Sequence, residues 1–425
     1  MNMGSAMRSL GLLCALAGAA AGVGAVSAQD LVIRGATVHT LTLQGTLKNT
    51  DVLLRGGTIA AIGAGLAVPP GTTVVEARAR ELTPGLFGGL TNLGLEEISQ
   101  EPSTVDWTLN LKAPAWEQQW RPELDVAQAF NPRSILIPVA RVEGVTWTML
   151  APAGGDSIIG GQGAAVILDG RFDATLPGSG SLFVSMGSAG AQQSGGTRAA
   201  EYMLLEQAIR EARKQGPVGE GSLLHAAGRE ALLRYLSGGR VVFQVDRASD
   251  ILAVIGFARR NGMKPVIAGG SEAWLVAKEL TQAEVPVILD PLKDLPSDFD
   301  HLGASLDNAA RLHHAGVRIA FSSGDNHNAR LIRQLAGNAV AHGLPNEAAL
   351  AAITSNPAEI FGLGAGRGHI AAGQAADLVL WSADPLEVTT LADQVWIAGR
   401  PVEMRSRQTE LRDRYVEKLR AHRAY

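Results

Sequence analysis

VVFQV (Val241–Val245), PVIAGG (Pro265–Gly270), VPVIL (Val285–Leu289) and VRIAFSS (Val317–Ser323) are short apolar runs rich in β-branched residues. Between them lie EAWLVAKEL (Glu272–Leu280) and LDNAARLHH (Leu306–His314), whose apolar residues fall at helical spacing. Strands alternating with helical stretches in this way predict a parallel sheet covered by helices. Further back, TWTML (Thr146–Leu150) reads as another strand and 198–215 as a helix. Six or seven strands are expected in all. The fold class is α/β: a parallel sheet over 82–365 closed into a TIM-like barrel at this length, its third and fourth strands unplaced in the Gly-rich stretch 150–240.

Both flanks have a different texture. LVIRGATVHTL (Leu31–Leu41), DVLLRGGTIAAIG (Asp51–Gly63) and TTVVEA (Thr72–Ala77) alternate apolar and polar residues between Gly turns. So do ADLVLWSADP (Ala376–Pro385) and DQVWIAGRPVEM (Asp393–Met404). A small β-sheet domain is expected over 29–81, with the same texture returning over 366–403, followed by a basic helix over 404–425 packed through Leu411, Tyr415 and Leu419.

The first 28 residues read as an address. Arg8 precedes the apolar run Leu10–Val26, which ends in Val26-Ser27-Ala28, the pattern of a cleaved secretory signal. A membrane anchor is the alternative, but the run falls short of the ~20 residues a span needs. The expectation is a periplasmic or extracellular protein with no membrane span after cleavage.

Composition narrows the chemistry. Among 425 residues, 37 are Lys or Arg and 41 are Asp or Glu, for a formal charge of −4 that disfavours nucleic acid as a partner. The single cysteine, Cys14, lies in the leader, so thiolate metal sites, disulfides and a Cys nucleophile are excluded from the chain beyond it. DSIIGGQGAAVILDG (Asp156–Gly170) lacks the spacing of a phosphate-cradling loop, and no GxSxG elbow occurs.

Several stretches together resemble the amidohydrolase superfamily in its imidazolonepropionase-like branch. They are the opening strands with VVEARARELTPGL (Val74–Leu86), TSNPAEIFGLG (Thr354–Gly364) and GHIAAGQAADLVLW (Gly368–Trp381). The resemblance implies a (β/α)8 barrel with a composite β-sandwich, and hydrolysis of non-peptide C–N bonds. It also implies one or two divalent metals, commonly zinc, at the C-terminal mouth of the barrel, where the metal turns water into a nucleophile. In that family two His on the first strand, His on the fifth and sixth strands and an Asp on the eighth hold the metal. The Gly-rich 156–170 segment matches as a hairpin outside the barrel.

At those positions this chain departs from the pattern. PGLFGGLTN (Pro84–Asn92) puts Leu90 and Asn92 where the paired His belong and Gly88 at the acidic position. Gln244 stands at the fifth-strand position and Gly269 at the sixth. Asp325 alone keeps an acid at the eighth, and no strand-like lysine lies between 180 and 245. One carboxylate cannot hold zinc, because tight sites need three or four donors.

Other polar residues near strand ends are candidates for a pocket. Asp325 is the candidate catalytic group, with Asn92, Gln244, Asp246, Arg247, Glu272, Asp290 and His327 around it. Asp246 beside Arg247 reads equally as an ion pair or as a ligand-binding pair. Two of Asp246, Asp290 and Asp325 with split pKa values could serve as acid and base. Residues 325–328 also suit Asx turns. His225, His301 and His342 read as helix or loop residues away from strand ends, and the adjacent His313 and His314 cannot face one ligand from a helix.

The expected function is therefore an amidohydrolase-fold protein without its metal centre: a pseudoenzyme, a small-molecule binder, or a partner subunit of an active amidohydrolase paralogue, with no cofactor. The alternative is an active hydrolase with a rearranged mononuclear zinc site, or metal-free acid/base chemistry, around Asp325.

Overall fold

The computed structural model describes residues 30–109, 120–155, 157–214, 216–324 and 327–423. The expected leader and Asp325 lie outside them.

Five strands open the described chain: β1 (Leu31–His39), β2 (Thr46–Arg55), β3 (Thr58–Gly63), β4 (Thr73–Glu76) and β5 (Glu81–Pro84). Gly56 and Gly57, both at positive φ, make the two-residue turn between β2 and β3, the geometry that keeps hairpin strands twisted together.

The middle of the chain supplies β6 (Leu86–Thr91), β7 (Val145–Leu150), β8 (Ile159–Gly163), β9 (Ala165–Ile167) and β10 (Ser181–Ser185). It continues with β11 (Arg240–Val245), β12 (Lys264–Gly269), β13 (Val287–Leu289) and β14 (Ile319–Phe321). From β10 to β14 the strands run parallel, with β8 antiparallel on the β10 edge. A second sheet pairs β6 parallel with β7, and β9 antiparallel on β7.

The Gly-rich segment is thus no hairpin outside the sheets. Its two strands do not pair with each other; each enters a different sheet. Glycine permits this, since a Cβ on Gly163 would lie 1.9 Å from the Leu150 carbonyl oxygen.

At the other side, the Leu90 N–H donates to Ser322 Oγ at 2.9 Å, so a side chain ties the end of β6 to the end of β14. Gly89 makes the approach possible: its φ is +95°, and a Cβ there would lie 2.8 Å from Ser322 Oγ. Gly89→Ala should lower stability by ~2 kcal/mol through strain and overlap together. A denaturant midpoint unchanged from wild type would refute this.

Helices cover the parallel strands as the apolar spacing requires. Arg198–Arg213 buries Leu205, Ala208, Ile209 and Ala212 on one stripe and is capped by the Thr197 hydroxyl. Ala248–Asn261 buries Ile251, Val254, Phe257 and Ala258 and stops at Gly262 in the left-handed region.

The chain then returns as β15 (Leu378–Trp381), β16 (Ala392–Ile397) and β17 (Arg400–Pro401). These complete one sheet of order β17-β16-β15-β5-β1-β2-β3, with β4 beside β1, drawn from both flanks of the chain. Period-two alternation divides β15 and β16 between two cores. Val379, Trp381, Val395 and Ile397 join the main core, whereas Leu378, Leu380 and Trp396 join the core under the β-rich sheet. Arg333 locks this junction. Only 7% exposed, it donates to the carbonyls of Pro385, Glu387 and Thr390, pairs with Glu143 and lies 4.8 Å above the Trp381 ring.

The basic helix forms over Arg407–Arg423, but not as a packed one. Leu411, Tyr415 and Leu419 are 37%, 59% and 63% exposed, which corrects the expectation that they anchor it. Its strongly polar composition leaves too little apolar surface to drive docking. Among the described residues, no helix is long and apolar enough to cross a membrane.

Candidate functional site

The C-terminal ends of β10 to β14 lie at one end of the sheet, where parallel α/β folds carry their working groups. Gln244 is exposed although its strand is paired on both sides, with Ser185 and Ala268 as register partners. A side chain in the middle of a sheet meets solvent only where the covering layer is open, so this face opens at the strand ends.

Asp246 follows directly. Its Oδ1 accepts from the Ser271 N–H at 3.1 Å and from the Ser271 hydroxyl at 2.7 Å. Its Oδ2 lies 3.4 Å from His301 Nε2. The other ring nitrogen, Nδ1, lies 2.6 Å from Asp298 Oδ1, and Lys293 Nζ lies 3.4 Å from Nε2. Asp298 also accepts the Asp300 N–H at 2.8 Å, and the hydrogen bond from His301 holds its carboxyl below the usual carboxylate range. His301, read from sequence as remote from any strand end, thus sits against the end of β11. The stretch after β13 folds back across the sheet, and the one local signal was the Asp-rich DFDH turn.

The other candidates separate. Arg247 pairs with Asp250 at 2.7 Å, not with Asp246, because it precedes the helix whose first turn carries Asp250. Glu272 has structural duties: it accepts from the Ala248 N–H and the Gly303 N–H, each at 3.0 Å. Asp290 accepts from the Leu292 N–H at 3.0 Å and shapes the turn after β13. Asn92 donates to Glu96 at 2.7 Å, and Trp107 donates to the same oxygen. His327 is exposed, with partners of its own. The remaining candidate, Asp325, is not among the described residues.

A buried charge network adjoins this site. Arg198 bonds Asp250 at 2.9 Å and also pairs with Asp300, which accepts from the Ser188 N–H at 2.7 Å. Burial works to raise Asp300, but the Ser188 N–H and Arg198 outweigh it and hold the carboxyl low. Glu201 lies beside them, 1% exposed, with Oε2 accepting from the Gly187 N–H at 3.3 Å and Oε1 unpaired. Burial first, and then the Asp250 and Asp300 charges, push Glu201 up to about 7 against the opposing Gly187 N–H and Arg198. Sequence reasoning missed this group. Its signal was a carboxylate at position 201 of the 201–205–208–212 buried stripe.

A cleft of about 320 Å³ lined by Leu41, His313, Glu347 and Ala351 includes none of the site or network residues above.

The zinc implied by the resemblance does not fit the described residues at its positions. Leu90 has no donor atom, Asn92 gives its Nδ2 to Glu96 and offers only a neutral amide oxygen, buried and unpartnered, and Gln244 is likewise a neutral amide. Gly269 has no side chain, and a Cβ there would lie 2.8 Å from Asp246 Oδ1, so Asp246 fills the space a sixth-strand ligand would need. Among the described residues no group of three His, Cys, Asp or Glu is placed to hold a metal ion.

The fold is similar to that of an amidohydrolase from Thermotoga maritima MSB8, with a TM-score of 0.77 and 24% identity over 88% of this chain and 100% of that one. It is more distantly similar to an N-isopropylammelide isopropylaminohydrolase from Burkholderia multivorans ATCC 17616, at TM-score 0.51 and 14% identity over 88% and 98% of the two chains. A 58-residue stretch is 50% identical to amidohydrolase tasK of Hapsidospora irregularis, covering 14% of this chain and 6% of that protein. The amidohydrolase family model matches residues 185–402, from the end of β10 through β17. That match spans both the open strand ends and the returning strands of the β-rich sheet, and the chain belongs to the amidohydrolase family.

Proposed function

We propose that this protein is an amidohydrolase-family barrel that binds a small polar ligand at its strand ends without forming metal hydroxide. The observation that carries the reading is the replacement of the sixth-strand ligand by Gly269, whose space is taken by Asp246. Leu90, Asn92 and Gln244 extend the same loss to three further positions. In this proposal the two helix-covered sheets make one barrel, closed by the Ser322–Leu90 tie on one side and by the passage of β8 into β9 on the other. The β-rich sheet is then its composite second domain, in keeping with the imidazolonepropionase-like branch. Gln244 and the polar groups around Asp246 suit a small, uncharged or cationic ligand.

Export through the N-terminal signal, and assembly with a His-bearing paralogue that supplies a metal centre, belong to the same proposal. Metal analysis tests it. Protein incubated with excess zinc and desalted should retain well under one ion per chain, since no three His, Asp or Glu side chains among the described residues are placed to hold one. Stoichiometric retained zinc would overturn the reading.

A further inference from the structure

We propose that Asp298, His301 and Asp246 form a metal-independent proton-transfer site for the hydrolysis of small uncharged or cationic amides, with Lys293 facing the developing negative charge. This goes beyond the binding reading, which stands or falls separately on zinc.

Geometry assigns the roles. A carboxylate only accepts, so Asp298 at 2.6 Å from Nδ1 fixes the proton on that nitrogen and leaves Nε2 as the working atom. Lys293 Nζ can only donate, and its 3.4 Å approach to Nε2 presents that nitrogen as an acceptor. Asp246 is held by Ser271 through Oδ1, which leaves Oδ2 turned toward Nε2 at 3.4 Å. At 3.4 Å both Asp246 and Lys293 make only long, weak contacts to Nε2, which an incoming water can displace when it gives up its proton. The side chains of His301 and Asp246 are 11% and 17% exposed, shielded yet still in contact with solvent. Asp290, Asp294 and Asp298 flank the Lys293 cation in sequence, which disfavours a carboxylate-bearing substrate.

In the reaction, a water molecule gives a proton to His301 Nε2 while its oxygen bonds to the amide carbon. The carbonyl π pair moves onto oxygen beside the Lys293 ammonium. When C=O re-forms, the C–N bond breaks and the proton on Nε2 passes to the leaving nitrogen, so neither redox partner nor metal is consumed. Asp298 is a positioning residue, because it acts through His301. Asp246 stabilises the imidazolium that forms.

The test uses the full chain, 4-nitroacetanilide as probe and excess EDTA. Wild type should turn the probe over with no loss in chelator, and His301→Gln should lower kcat/KM by ~100-fold or more. Asp298→Asn should lower kcat with KM little changed and move the acid limb of the pH–rate profile, which loss of a merely structural tie would not do. Lys293→Met, at an exposed position where folding is not at issue, should lower kcat about tenfold. Turnover by wild type no faster than by His301→Gln, or unaffected by both Lys293→Met and Asp298→Asn, overturns the proposal. Turnover abolished by EDTA overturns it too and points to a metal site, whereas absent turnover with absent zinc removes this proposal alone.

Discussion

Arg333→Ala should cost ~3–5 kcal/mol of unfolding free energy, because three carbonyls lose their donor at about 1–3 kcal/mol for each that stays buried. The guanidinium serves the carbonyls of Pro385, Glu387 and Thr390 at 2.9, 3.2 and 3.0 Å. Truncation leaves those oxygens without their donor and uncovers the Trp381 ring, where the two cores meet. Arg333→Lys should recover less than half of the loss, because one ammonium cannot reproduce a planar fork directed at several carbonyls. Urea unfolding measures both variants. A loss under ~1 kcal/mol for the Ala variant would show that the junction is held elsewhere.

A second large effect depends on pH. Glu201 is raised from 4.5 to about 7 in the folded chain, so the folded state keeps a proton that the unfolded state releases. The stability linked to this group is fully present below pH 4.5 and is lost as pH rises through about 7. Across that window the change is on the order of 3 kcal/mol. Glu201→Gln keeps the shape and removes the titration. The variant should match wild type near pH 5 and exceed it by ~2–3 kcal/mol near pH 8. Denaturant unfolding of both proteins over this range isolates the group, since the titrations of groups that do not interact with it cancel in the difference. A difference curve flat from pH 5 to pH 8 would refute the assignment.

The alternation VVFQV, PVIAGG, VPVIL and VRIAFSS marked four strands that the structure places at β11 to β14, because short β-branched runs between helical patterns admit few other solutions. The helix expected over 198–215 is Arg198–Arg213. By contrast, residues 156–170 read as a hairpin, whereas β8 and β9 enter different sheets, because the glycines of β8 carry no side-chain pattern and gain their meaning only from the backbone they approach. His301 was illegible for another reason. Its partner Asp246 is distant in sequence, and only the fold-back after β13 joins them. Leu411, Tyr415 and Leu419 show the converse, a helical spacing that forms its helix without finding a surface to cover.

β5 pairs antiparallel with β15, Thr83 opposite Val379, and the Trp381 indole N–H donates to the Thr83 hydroxyl at 2.8 Å across 298 positions. During synthesis on the ribosome, the first strands emerge long before the partner that completes their sheet. They wait with an open edge, the template on which nascent chains stick to one another. Closing so long a loop also slows refolding in dilute solution. A chain halted before Leu378 should therefore accumulate as aggregate, and full-length yield should depend on chaperones that shield that edge until translation ends.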